Sequence, residues 1–226
     1  MSILRTECGA LDLENPFLLA SAPPTASYEL IRRGLVQGWA GAVTKTLKPD
    51  SMEIVDVRPR FSSLRGRGGE VFGFENIELV SRRDVAYWTQ TIGMLKQEFP
   101  RKVIIASIMG DTRKESWVEL AVRMDSAGAD ALELNFSCPH GMPEMGVGAA
   151  IGQSAEISAR ITGWVRAATR LPVIVKLTPN VTDVVSIARA VSRAGADMLA
   201  AINTVESITS VDLDTLEPQP SVGGMS

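Results

Sequence analysis

Histidine and cysteine are scarce in this chain: one histidine, His140, and two cysteines, Cys8 and Cys138, among 226 residues. Two thiolates cannot complete a four-thiolate zinc site or hold an iron–sulfur cluster. Reduced thiols in a cytoplasmic protein are the expectation. An excess of positive charge is also missing. With 23 basic against 26 acidic residues the net charge is −3, which offers no electrostatic footprint for nucleic acid or an anionic membrane. Long apolar runs are absent too: stretches such as 103–109 are strand-sized, far short of the roughly 20 residues that span a bilayer. No basic region followed by an apolar core marks a secretory signal.

What the chain does have is a regular alternation of short apolar runs with amphipathic stretches, the pattern of βα units on a parallel sheet. Strands are read at 17–21, 41–46, 103–107, 131–135, 173–177 and 198–202, and helices at 28–37, 82–99, 113–127, 156–169 and 182–194. In the third helix Trp117, Leu120, Ala121 and Met124 recur at helical spacing, Asp111 or Thr112 can cap its start, and Gly128 ends it. Thr182 is a candidate cap for the last helix. Residues 3–13 read as a short hairpin that plugs the N-terminal end of the sheet.

An internal echo, SAGADALELN around Gly128 and RAGADMLAAIN around Gly195, has one full unit between its copies. That spacing is two units of roughly 31–33 residues, the unit length of an eight-fold barrel of about 250 residues. Doubly wound sheets use similar units, so both architectures stay open, with the barrel preferred. The chain supplies strands for about six units. The expected organisation over 1–226 is therefore a partial (β/α)8 barrel: the plug at 1–13, strands within 17–203, and a C-terminal loop over 204–226, with two further units outside the sequence.

In such barrels chemistry gathers at the C-terminal ends of the strands. Each apolar run here finishes in a hydrogen-bonding or cationic residue: Ser21, Lys45, Ser107, Asn135, Lys176 and Asn203. Lysine in a β-branched strand must find an anion or a polarised oxygen. Two lysines and two amides at one mouth point to a flat, oxygen-rich, partly anionic ligand. Cys138 follows Asn135 in NFSCPHG and precedes a glycine-rich run. A lone cysteine is more often a small core side chain, but this segment is a poor core. The alternative is a general acid/base thiol on a closing loop. His140 lies too near in sequence to face that thiol, and no orienting aspartate is evident. GVGAAI lacks the third glycine of a dinucleotide fingerprint. Cys8 reads as structural, and Arg58, Arg60, Arg65 and Arg67 as a basic loop, either solvated or covering a partner or substrate.

The segments NPFLLASAPPT, GWAGAVTKTLKPD, FENIELVS, ELNFSCPHGM, VIVKLTPNVTDVVSIARA and INTV closely resemble the flavin barrel of the dihydropyrimidine dehydrogenases. The resemblance is strongest to the pyrimidine-binding subunit of the bacterial two-subunit NAD-dependent form, and it runs from the hairpin to Thr204. The Asn-x-Ser-Cys-Pro core is shared with class 1 dihydroorotate dehydrogenases, the closest enzymatic alternative; a non-catalytic fragment of such a barrel is the other. The resemblance implies reduction of the 5,6 double bond of uracil or thymine by FMN. Cys138 would protonate C5, while Asn76, Asn135, Ser137, Asn203 and Thr204 hold the pyrimidine. Ala20, Ser21, Lys45, Thr46 and Lys176 would line the flavin. It further implies an FMN phosphate site beyond the present sequence and no metal within it. [4Fe–4S] clusters and NAD(P)/FAD sites are expected in that outer region or in an electron-transferring partner subunit. The resemblance also implies a cytoplasmic location and an oligomer at full length.

Overall fold

The computed structural model describes residues 3–53, 61–76, 78–136, 149–205, 210–211, 213–216 and 218–219. Ser137, Cys138, His140, Arg58 and Arg60 lie outside these.

Chain order begins with a hairpin, β1 (Thr6–Cys8) and β2 (Leu11–Leu13), then β3 (Leu18–Leu19), α1 (Tyr28–Val36) and β4 (Gly41–Val43). A second hairpin, β5 (Phe61–Arg65) and β6 (Val71–Asn76), leads to α2 (Val85–Glu98), β7 (Val103–Ile108), α3 (Lys114–Ser126) and β8 (Ala131–Asn135). The chain continues through α4 (Ala149–Gly152), α5 (Ala155–Ala168), β9 (Val173–Lys176), α6 (Val184–Arg193), β10 (Met198–Ala200), β11 (Ser210–Val211) and β12 (Pro218–Gln219).

Strands β3, β4, β7, β8, β9 and β10 form one six-stranded sheet in chain order, every neighbouring pair parallel. A doubly wound sheet reverses its order at a switch point. These strands show no reversal, so the succession is that of a (β/α) barrel.

The helix-facing side of the sheet carries Ala42, Ile104, Ala106, Ile108, Leu132, Leu134, Val173 and Val175, packed with Trp88, Ile92, Leu95, Trp117, Leu120, Met124, Ile161 and Val165. Side chains alternate along a strand, so the intervening residues face the barrel interior. There Val43, Val103, Ile105, Ala131 and Ile174 cluster with Leu11 and Leu13 of the first hairpin, which packs against the N-terminal part of these strands. Farther along the same strands the same face turns polar at Ser107, Glu133, Asn135 and Lys176. The interior is thus zoned, apolar over the plug and polar at the C-terminal mouth.

The repeated AGAD segment has a mechanical basis. Gly128 and Gly195 adopt φ of 90° and 104°, left-handed turns that glycine enters without steric cost. Asp130 then accepts the Ile104 amide at 2.7 Å and the Lys96 ammonium at 2.8 Å. Asp197 repeats this one pair of units later, accepting the Val173 amide at 2.8 Å and the Arg166 guanidinium at 3.0 Å.

Several local expectations change. The α3 N-cap is Arg113, which makes no capping side-chain bond. Asp111 instead accepts the Arg113 amide and the Ser116 hydroxyl just ahead of the helix, at 2.9 and 2.8 Å. Asp183, not Thr182, caps α6, accepting from Val185 N and Ser186 N, because its carboxylate is one residue nearer the orphan amides. Of the arginine-rich stretch, Arg65 ends a hairpin arm and Arg67 lies in the turn that follows, where Arg65 donates to the Gly69 carbonyl at 3.0 Å; Arg58 and Arg60 are outside the described residues. The 204–226 segment contains the antiparallel pair Ser210–Val211 with Pro218–Gln219.

Candidate active site

The polar mouth is a cleft built where the strands end. Ser21 follows β3, Lys45 and Thr46 follow β4, Asn135 and Lys176 end β8 and β9, and Asn203 and Thr204 follow β10. All seven line one cleft with Asn76 from the end of β6 and Glu78, Leu79 and Val80 from the segment after it. Of the residues predicted for the site, Ser137 and Cys138 lie outside the described residues. Ala20 is exposed one position before Ser21, and its carbonyl accepts the Thr25 hydroxyl at 3.0 Å.

Local bonds fix the backbone beneath these side chains. Thr25 O accepts the Lys45 amide at 3.0 Å, and Thr46 O accepts the Ser81 amide at 2.7 Å. Ser81 in turn takes the indole N–H of fully buried Trp88 at 2.8 Å. The segment bearing Glu78–Val80 is therefore tied both to the β4 end and to α2. On the opposite side Asn180 donates to Thr204 O at 3.0 Å, holding the loop that presents Asn203.

A continuous hydrogen-bond chain crosses the cleft floor. Thr46 Oγ1 lies 3.2 Å from Ser21 Oγ and 2.9 Å from Ser107 Oγ, and it accepts Asn135 Nδ2 at 2.9 Å. Asn135 Oδ1 accepts Asn203 Nδ2 at 3.2 Å, while Asn203 Oδ1 accepts the Thr204 amide at 2.8 Å. Ser107 also donates to Glu133 Oε1 at 3.1 Å. Networks of this kind hold side chains in single orientations when every member is satisfied.

The charges are arranged in two couples. Lys45, only 7% exposed, is ion-paired with Glu78. Glu133 lies within electrostatic reach of Lys176; burial pushes its carboxyl above the ordinary range, partly offset by Lys176 and the Ser107 bond. Sequence reading missed both glutamates. Glu78 sits inside FENIELVS, and Glu133 is two residues before Asn135. A carboxylate within an otherwise apolar strand, in phase with a functional amide, is a signal that pattern reading could have used.

Chemically, each amide offers a donor and an acceptor side by side, complementary to the alternating N–H and C=O edge of an imide or lactam. Two ammonium groups from strands on opposite sides of β7 and β8 favour a ligand that carries or develops negative charge.

The fold and this mouth define a (β/α) barrel protein with its polar site at the C-terminal strand ends. The chain belongs to the dihydroorotate dehydrogenase family, whose family model matches residues 3–226. It is 40% identical over 228 residues to the chloroplastic dihydropyrimidine dehydrogenase (NADP(+)) of Arabidopsis thaliana, covering 99% of this chain and 54% of that protein. It is 39% identical over 221 residues to the NAD-dependent dihydropyrimidine dehydrogenase subunit PreA of Escherichia coli K12, covering 98% of this chain and 53% of that protein. The catalytic subunit of dihydroorotate dehydrogenase B (NAD(+)) of Methanocaldococcus jannaschii is 34% identical over 229 residues, with 99% and 70% covered. The chain thus spans about half the length of the two dihydropyrimidine dehydrogenases. In structure it is similar to a DHODH from Eimeria tenella solved with ferulenol, with TM-score 0.76 at 15% identity over 99% of this chain and 64% of that one. That likeness establishes the barrel fold.

Proposed function

We propose that this chain is the pyrimidine-binding portion of an FMN-dependent oxidoreductase that reduces the 5,6 double bond of uracil or thymine. The observation that carries the reading is the convergence of Asn76, Asn135 and Asn203 with Lys45 and Lys176 on one cleft. The donor set suits a flavin ring: Lys45, Lys176, Ser21 and Thr46 present cations and hydroxyls to a flat, oxygen-rich group. When bound there, FMN would supply hydride chemistry toward C6 of the base.

The remaining steps belong to this chain's residues. Asn76, Asn135 and Asn203 pair with the carbonyl and N–H edges of the base, and Glu78 accepts a ring N–H. The Thr46 and Thr204 bonds to the amides select their orientation before substrate arrives, which lowers the ordering cost of binding. Cys138, three residues beyond the Asn135 strand end, donates a proton to C5; a thiol with an ordinary pKa of about 8.5 is largely protonated at neutral pH. Lys45 and Lys176 favour negative charge in the cleft. Electrons would come through an FAD- and NAD(P)-binding partner subunit and [4Fe–4S] clusters held either there or in the rest of the full-length protein, in a cytoplasmic oligomer.

The test is turnover of the full-length protein with its partner, reductant and uracil. Cys138→Ala retains flavin reduction and loses most turnover; unchanged turnover in that variant removes the acid role. A second reading, dihydroorotate oxidation, is favoured by the 34% identity to the Methanocaldococcus jannaschii subunit. Orotate and uracil binding measured side by side separates the two, since preference for the carboxylated base overturns uracil reduction.

A further inference from the structure

Glu133 is a buried carboxyl that the proposed reaction does not use. It is 5% exposed, in the middle of β8, on the interior face one layer below Asn135. From β7 it meets Ser107, its register partner, whose hydroxyl donates at 3.1 Å. From β9 it meets the charge of Lys176, the register partner of Asn135. Below it the interior is apolar, with Ile105 and Ile174 over the leucines of the first hairpin. The other charged side chains of the cleft, Lys45 and Glu78, are paired with each other. Among the described residues Lys176 is the cation whose charge acts on Glu133.

We propose that Glu133 is the internal counter-ion of Lys176 and takes up a proton when a ligand brings negative charge against that ammonium. A single half-buried ammonium offsets two anions only in part, and a second anion favours the neutral form of the more deeply buried one, Glu133. The desolvation already acting on Glu133 works in the same direction. The neutral carboxyl keeps its bond from Ser107, so the chain through Thr46 to Asn135 survives the change. Lys176 is then left to the ligand. Glu133 is a positioning residue in this scheme, acting through Lys176 without touching substrate.

The inference rests on the FMN reading in one respect: reduction of the flavin supplies the negative charge. In a redox titration with dithionite, two electrons and one proton enter the flavin. The second proton forms the O–H bond of Glu133. The experiment uses the FMN-loaded full-length protein and reads protons taken up per two electrons from the pH dependence of the midpoint potential. Wild type takes up as much as one proton more than Glu133→Gln; equal counts in the two proteins overturn the proposal. A purely structural role for Glu133 changes stability and leaves that count alone.

A second measurement needs no flavin. Lys176→Met removes the balancing cation, and its infrared spectrum at neutral pH gains a carboxylic-acid C=O band that moves on 13C-glutamate labelling and is lost in Lys176→Met/Glu133→Ala. Absence of that band also overturns the proposal. Failure of wild type to hold FMN, with the band present, sinks the flavoenzyme reading and leaves the Glu133–Lys176 coupling standing.

Discussion

Asn135 donates its side-chain N–H to Thr46 Oγ1 at 2.9 Å, joining strand ends 89 residues apart in sequence. The bond fixes which way the amide points: Nδ2 is committed to Thr46, and Oδ1 receives Asn203. Under the proposed function, a pyrimidine would meet an amide whose orientation is already decided on both sides.

Asn135→Ala removes that shared hub. Uracil binding should weaken by roughly one to two orders of magnitude, the cost of about 1–3 kcal/mol for leaving buried polar partners unmatched. The fold should persist, since the helix-facing core does not include this side chain. Calorimetric titration with uracil, beside a far-ultraviolet circular dichroism melt, checks both halves of the expectation.

Glu133 should make stability depend on pH in a particular sense. Its native carboxyl titrates above its unfolded value because burial disfavours the charge. Only between those two values does the native state keep a proton that the unfolded chain has lost. That stabilisation is complete below the unfolded value of about 4.3 and is lost as pH rises through the native one. Glu133→Gln lacks the titration. Urea midpoints across a pH series starting near about 4 should show wild type falling relative to the Gln variant as pH increases; a constant offset counts against the raised native value.

Gly152→Ala should destabilise the protein. A Cβ there would lie 2.3 Å from the Phe136 carbonyl oxygen and 3.1 Å from Thr178 Cγ2. The carbonyl is backbone and also accepts the Gly152 amide at 3.0 Å, so it cannot retreat without breaking that bond. A loss of about 1–3 kcal/mol is expected, read from urea unfolding. Because Phe136 directly follows Asn135, uracil affinity should fall in the same variant.

Asp130→Ala and Asp197→Ala should have matching effects, since each aspartate holds a strand amide and a helix cation. About 1–3 kcal/mol is expected for each, most of it from the amide left without its acceptor. Lys96→Met should cost less than Asp130→Ala, because a partly exposed ion pair contributes little. Comparable losses for Lys96→Met and Asp130→Ala would falsify the amide-centred account.

The central strands β7 and β9 were legible because a parallel strand buried on both faces reads as a continuous β-branched run, as VIIASI and VIVK do. Lys45 and Lys176 stood out for the same reason, as ammonium groups closing apolar runs. The β5–β6 hairpin escaped because its strands rest on no core: Phe61, Phe72 and Phe74 are 65%, 70% and 80% exposed, so no buried face imposes an apolar alternation. Asp183 was passed over for Thr182 because either residue type caps a helix, and one residue of register decides which carboxylate or hydroxyl reaches the amides. Glu133 and Glu78 act through partners 26 and 33 positions away, distances that no local pattern encodes.

The two aspartate straps also say something about the order in which the protein can be finished. The acceptor for the Ile104 amide lies 26 residues downstream, and that for Val173 lies 24 downstream. During synthesis from the N-terminus, each of these strands stays one bond short until the next turn has emerged. For these two strands completion is handed forward along the chain, each sealed by the turn made after it.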